Sequence, residues 1–252
     1  MKQLELIHTD RIFGAVTLKD LACPESNNMA LHVCQDPQAV MQNRKALEAV
    51  TLPLENWALP WQKHTANIYR ITNKDKGRGS VDKNTSIMNV DALYTTEPDI
   101  LIGVFTADCC GILLVDPSTP CIATIHSGWK GTVQSITEKC ARQLIDEGLL
   151  HPERTLAFFS PSILFDSLEV GMEVVQQLLE HHVDIEGCIR YMPDEKAYID
   201  NQGINIKMLR KLGITQITPS TLDTKKERND CFSYRNEKEK VGEHFTYAYI
   251  KG

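Results

Sequence analysis

No run of about 18 apolar residues, the length a helix needs to cross a bilayer, occurs in this chain. Met1-Lys2-Gln3-Leu4-Glu5-Leu6 lacks an apolar core of signal-peptide length, so a cytoplasmic protein without membrane contact is expected. No basic run is present beyond Lys225-Lys226. The net charge of −6 argues against an electrostatic partner for nucleic acid. There is no internal repeat, low-complexity tract or linker, and Asp75-Lys76-Gly77-Arg78-Gly79-Ser80 lacks the glycine-lysine-serine spacing of a phosphate-binding loop. Eight cysteines are too dispersed along 252 residues for a secreted disulfide scaffold. Cys23, Cys34, Cys121, Cys140, Cys188 and Cys231 are therefore read as small hydrophobes.

Residues 1–252 are read as one domain of ordinary globular composition. Asp36 caps a helix that opens at Pro37 and runs to about Thr51. Asn67–Ile71 reads as a strand. Lys130–Glu147 reads as one amphipathic helix, with Val133, Ile136, Cys140 and Leu144 inward and Gly148 ending it. Leu156–Phe159 is a buried strand, Ser167–His181 and Asn201–Lys211 are helices, and strands follow at Thr215–Ile217 and Phe245–Ile250. The mixture lacks strict strand–helix alternation, which predicts an α+β fold with a layered mixed β-sheet and flanking helices.

The chemistry concentrates in Thr106-Ala107-Asp108-Cys109 and His126-Ser127-Gly128-Trp129-Lys130-Gly131. Between them, two apolar strands flank the turn Asp116-Pro117-Ser118-Thr119-Pro120. A turn centred between Pro117 and Ser118 would place Cys109 directly opposite His126, with Cβ atoms roughly 4.5–5.5 Å apart. Such a pair serves either as a nucleophile with its base or as two ligands of a zinc site that keeps a position open. The second use needs another imidazole. His64, just ahead of the Asn67–Ile71 strand, is the best placed; His8, His32, His151 and the His181-His182 pair are weaker candidates. The glycines after His126 also suit an anion at a helix start, with Lys130 adding charge.

These motifs resemble the bacterial laccase-domain family, whose members are also known as multicopper polyphenol oxidoreductase-like proteins, purine nucleoside phosphorylases and peptidoglycan editing factors. The resemblance extends over nearly the whole chain. Asn28-Met29-Ala30-Leu31, Asn43-Arg44, Gln62-Lys63-His64-Thr65, Asp91-Ala92-Leu93, Glu169-Val170-Gly171 and Phe232-Ser233-Tyr234-Arg235 follow the family's flanking signals in order. The resemblance implies a metal held by His64, Cys109 and His126, and a fold related to cytotoxic-necrotizing-factor-like cysteine hydrolases. It also implies phosphorolysis of purine nucleosides, deamination of adenosine or, in one branch, editing of muropeptide precursors. The expected cofactor is zinc; copper would also bind such ligands by affinity alone. Cys109, His126 and Asp108 are the expected catalytic residues, with Asp108 orienting a metal-bound histidine or moving a proton. Arg44 and Lys130 are expected to steady a phosphate beside the nucleoside. The chain departs from the family pattern at Leu164-Phe165-Asp166-Ser167-Leu168, at Asp223, and at Glu243, where the family carries arginine. A Cys–His amidase, or a binding protein of the same fold without turnover, are the alternatives.

Overall fold

The computed structural model describes residues 1–181, 184–238 and 241–252; His182 lies outside them. Two sheets face each other. In the first, Gln3–His8, Ile12–Thr17, His244–Ile250, Leu101–Thr106 and Trp57–Ala58 follow in that order. In the second, the order is Gln216–Thr218, Leu156–Phe159, Cys110–Asp116, Cys121–Ser127, Ala92–Thr95 and Ile68–Arg70. Every residue of Leu101–Thr106, Cys110–Asp116 and Cys121–Ser127 is buried. That explains why these segments are apolar without alternation: both their faces are covered.

Ile102, Ala248 and Ile250 of the first sheet meet Leu113, Val115 and Ile122 of the second in one core. On the outer face of the first sheet, Leu47 of helix α1 (Pro37–Glu48) packs with Phe105, Phe245 and Tyr247. The segment Trp129–Val133 forms a short helix α2. Helix α3 (Ile136–Asp146) packs on the outer face of the second sheet, Ile136, Cys140 and Leu144 against Ile112, Leu114 and Ile125. Helix α4 (Met172–His181) and helix α5 (Asn201–Lys211) share a further core with a small sheet of Glu169–Gly171, Ile189–Met192 and Lys196–Ile199. The layered α+β expectation is met, but with several sheets in place of one. Among the described residues no helix is long and apolar enough to cross a membrane.

Three helices differ from the sequence reading. The expected helix Lys130–Glu147 is broken in two, because Ser135 adopts a left-handed backbone with φ 59°. No glycine or proline marks that break, so the spacing alone ran across it. The expected helix from Ser167 begins only at Met172, since Glu169–Gly171 pairs with Lys196–Ile199. Helix α1 ends at Glu48 rather than Thr51, although Asp36 caps it as expected by accepting from the Gln38 N–H at 2.9 Å. Asn201–Lys211 is helical over its expected range, with Asp200 accepting from the Gly203 N–H.

Residues 107–109 carry the chain from the end of Leu101–Thr106, in the first sheet, to the start of Cys110–Asp116, in the second. The crossing lies beside the end of Cys121–Ser127, since Cys110 pairs with Ser127. Side chains from both sheets meet at this seam.

Candidate metal centre

The hairpin register differs by two residues from the sequence reading. Asp116 pairs with Cys121 and Gly111 with His126, so the turn centres between Ser118 and Thr119. Asp116 moves the centre by drawing the turn inward, accepting from the N–H groups of Ser118 and Thr119 at 2.9 and 3.3 Å. The residue level with Cys109 is therefore Gly128, and His126 is its diagonal neighbour. A shift of two keeps every side chain on its own face, so the thiol and imidazole still meet.

His64 joins them from the loop after Trp61. Its Nε2 lies 3.9 Å from Cys109 Sγ, and its ring centroid 4.7 Å from that of His126. One ligand atom from each of His64, Cys109 and His126 falls within 4.8 Å of the others. The three differ in access: His64 is exposed, Cys109 half-buried and His126 buried. Gly128 makes the gathering possible. A Cβ there would stand 2.6 Å from Cys109 Sγ and 3.0 Å from the His64 ring.

What holds these residues is Asp91, a fully buried carboxylate. Its Oδ1 lies 2.8 Å from His126 Nδ1, which leaves Nε2 of that ring for a metal. The N–H groups of Lys63, His64 and Thr65 and the Thr65 hydroxyl all donate to the same carboxylate, at 2.8–3.2 Å. One aspartate thus orients a candidate ligand on the hairpin and fixes the backbone of a second candidate outside it. His64 itself sits at φ 58°, a conformation that costs energy for a residue with a Cβ and persists only where its surroundings enforce it. Gln134 donates to the His64 carbonyl at 2.9 Å. Gln62 clasps the end of the first sheet, donating to the Phe105 carbonyl at 2.8 Å and accepting from its N–H at 2.7 Å. Asp91 and Gln62 enter the sequence reading only as family signals. What marks Asp91 in the sequence is a lone acid directly ahead of an apolar strand.

The electrostatics are those of a coupled set. Burial by itself would raise the Cys109 thiol, but His126 and then His64 outweigh it and bring it down to about 7. Burial would lower His126, but Cys109 and Asp91 outweigh it and raise the imidazole to about 10. Asp91 is likewise held down to about 2 by His126 and Thr65 against the effect of burial. Burial pushes the Cys110, Cys121 and Cys231 thiols up to about 12. Metal-free protein should therefore be alkylated by iodoacetamide first at Cys109. The rate should climb with pH through a midpoint near 7 as the thiolate forms, and added metal should suppress it. Peptide mapping against pH checks this; a midpoint near 9, or equal labelling of several cysteines, would refute it.

The centre opens into a cavity of about 670 Å³. Lys130 stands on its wall, exposed, its Nζ 5.5 Å from the Trp129 ring centroid. The helix expected to begin there is only the five residues of α2, too short for a substantial dipole. The positive charge at that end is the lysine's own. Asp108 also lines the cavity, but its carboxylate accepts from the Thr224 hydroxyl at 2.6 Å and the Arg235 N–H at 2.7 Å. It ties two C-terminal loops to the seam, and the orientation of the histidine expected of it belongs to Asp91. Arg44 does not reach the cavity. It is 2% exposed, and its guanidinium donates to the carbonyls of Met29, Gly79 and Ser80. The expected phosphate contact is replaced by a structural one that binds α1 to two loops. Of the divergent positions, Leu168 and Glu243 line the cavity, while Asp223 is buried and accepts from the Ser167 hydroxyl at 2.6 Å.

A family model described as multi-copper polyphenol oxidoreductase laccase matches residues 9–251. The chain belongs to this laccase family. Among curated relatives, it is 26% identical over 230 residues to purine nucleoside phosphorylase YlmD of Bacillus subtilis, covering 90% of this chain and 83% of that protein. It is 30% identical over 228 residues to adenosine deaminase RL5 from an unknown prokaryotic organism, covering 89% of this chain and 87% of that one. Among solved structures, YlmD from Geobacillus stearothermophilus superposes with a TM-score of 0.90 at 27% identity, covering 96% and 92% of the two chains. The YfiH protein of Bacillus licheniformis gives 0.89 at 25% identity. The laccase-family description implies a metal. The His64, Cys109 and His126 donors fit one chemically: two imidazoles and a thiol suit zinc and copper alike, and the carboxylate behind His126 is the usual support of a ligating histidine.

Proposed function

We propose that this laccase-family chain is a zinc-dependent enzyme of purine nucleosides, carrying out phosphorolysis of adenosine- or inosine-type substrates together with deamination of adenosine. The observation that carries the reading is the donor triad His64, Cys109 and His126, gathered within 4.8 Å at the wall of an open cavity and braced by Asp91. The names of the relatives, purine nucleoside phosphorylase and adenosine deaminase, supply the substrate class. A zinc ion with three protein ligands supplies an activated water and Lewis acidity at neutral pH.

The protein's own residues have separable parts. Asp91 keeps the His126 Nδ1 proton on the side away from the cavity. Asp108 holds the loops of Thr224 and Arg235 against the seam, which shapes the cavity wall. Lys130 offers a flexible cation for phosphate at the same wall. A second reading, a Cys–His amidase acting on muropeptide-like substrates, is favoured by one feature: a half-buried thiol brought down to about 7 by its histidines.

The test joins metal content to phosphate-dependent release of hypoxanthine from inosine, before and after chelation. About one zinc per chain and chelator-sensitive release are expected. His64→Ala is expected to lower the metal stoichiometry well below one while leaving the fold intact, because the residue is exposed. Unchanged stoichiometry in that variant removes the three-ligand site. Metal-free protein that remains active on an amide substrate transfers the assignment to Cys109 as nucleophile.

A further inference from the structure

The cavity wall carries one carboxylate for which the nucleoside chemistry above has no use. Glu243 lines the cavity and immediately precedes the His244–Ile250 strand, whose His244 pairs with Thr106. Carried one step further, that register sets Glu243 level with Ala107, two residues from the Cys109 ligand. The side chain is 17% exposed. Its Oε2 lies 3.1 Å from Nε2 of His32, and no other side chain pairs with it among the described residues. The Glu243 backbone and the His32 ring are each anchored. The Glu243 N–H donates to Asn28 Oδ1 at 3.0 Å, and the His32 ring leans on Trp61 and Phe105.

A carboxylate has two oxygens and about four acceptor positions. His32 faces one oxygen, so acceptor capacity remains on a side chain that borders the cavity. Burial opposes the charge, but His32 outweighs it and holds the group below the usual carboxylate range. An ionised acceptor in a half-desolvated wall attracts hydroxyl and amine donors and repels anions. Lys130, Arg235 and Lys238 of the same cavity can receive an anion elsewhere on the wall.

We propose that Glu243, held by His32, is a specificity-determining acceptor that takes a hydrogen bond from an uncharged donor of the substrate, either a ribose hydroxyl or the exocyclic amine of a purine nucleoside. This rests on the nucleoside reading of the metal centre.

The experiment is equilibrium binding by calorimetry, with metal content and melting temperature followed in parallel. The probes are adenosine and four analogues that each lack one donor: 2′-deoxyadenosine, 3′-deoxyadenosine, 5′-deoxyadenosine and purine riboside. Glu243→Gln should weaken adenosine by about tenfold, the size of a hydrogen bond to a charged group. At least one analogue should bind wild type and variant equally, and the missing donor of that analogue identifies the contact. If E243Q weakens all five ligands equally, or none, the assignment of Glu243 is wrong while the nucleoside reading stands. If wild type binds none of them, the nucleoside reading fails and this inference with it. Should E243Q not fold, Glu243→Asp carries the same comparison, because it keeps the charge and withdraws the carboxylate from the cavity by one methylene.

Discussion

Replacing Asp91 with alanine is expected to remove metal and stability together. The carboxylate accepts from three consecutive backbone N–H groups and the Thr65 hydroxyl, and it pairs with the His126 ring at 2.8 Å. Truncation leaves those donors without an acceptor in a site that is 0% exposed. Breaking a buried pair of this kind costs about 3–5 kcal/mol, and removing the support of a ligating histidine costs roughly 10–100-fold in metal affinity. The His64 loop should also leave its left-handed conformation, because three of the bonds that hold it end on this one side chain. Denaturant unfolding of metal-free protein and competitive metal titration measure the two effects separately. Loss of metal affinity without loss of stability would mean that Asp91 tunes the ligand but does not hold the loop. The reverse would mean that the ring orientation is set elsewhere. The pH dependence has a defined sign. Asp91 is held down to about 2, below its ordinary value, so its contribution is present above about pH 4 and is lost as the pH falls through about 2. D91A should flatten that limb of the acid profile.

Gly128→Ala is the second large effect, and it separates the metal centre from the fold. The backbone at Gly128, φ −73° and ψ 173°, is open to alanine, so no strain arises from the main chain. The added methyl would instead meet Cys109 Sγ at 2.6 Å and the His64 ring at 3.0 Å. Only the Cys109 and His64 side chains can move to make room, and moving them takes apart the donor set. The expected outcome is a folded protein with at least tenfold weaker metal binding, given the tolerance of about 0.2 Å in metal–ligand distances. Gly131→Ala is the control, since its Cβ comes no closer than 3.3 Å, to a methyl of Ile136. Circular dichroism and metal stoichiometry on both variants decide the matter. Full metal content in G128A would show that the ligands gather by some route other than this close approach.

The short-range part of the site was legible because hairpin geometry is periodic. Cys109 and His126 flank one turn, and a register error of two residues left them on a common face. Helices α1 and α5 were readable for a similar reason: Pro37 with its capping Asp36 opens the first, and Gly213 follows the second. The break at Ser135 was not readable, because a left-handed serine leaves no mark in an amphipathic pattern that continues on both sides of it. Arg44 was misassigned on similar grounds. The side chain suits an anion as well as a set of carbonyls, and only its burial among Met29, Gly79 and Ser80 separates the two uses.

The sequence by itself determined the α+β class, the hairpin, the Cys–His pair and, through its ordered motifs, the laccase family. The tertiary structure alone decided that His64 reaches the pair, that Asp91 rather than Asp108 braces His126, and that Glu243 and His32 meet beside the same cavity. The physical reason is the distance along the chain over which each contact closes. Strand and helix periods constrain neighbours a few residues apart. A loop, a sheet end and a C-terminal strand come together only when two sheets bury their facing surfaces, and that burial is a property of the whole fold.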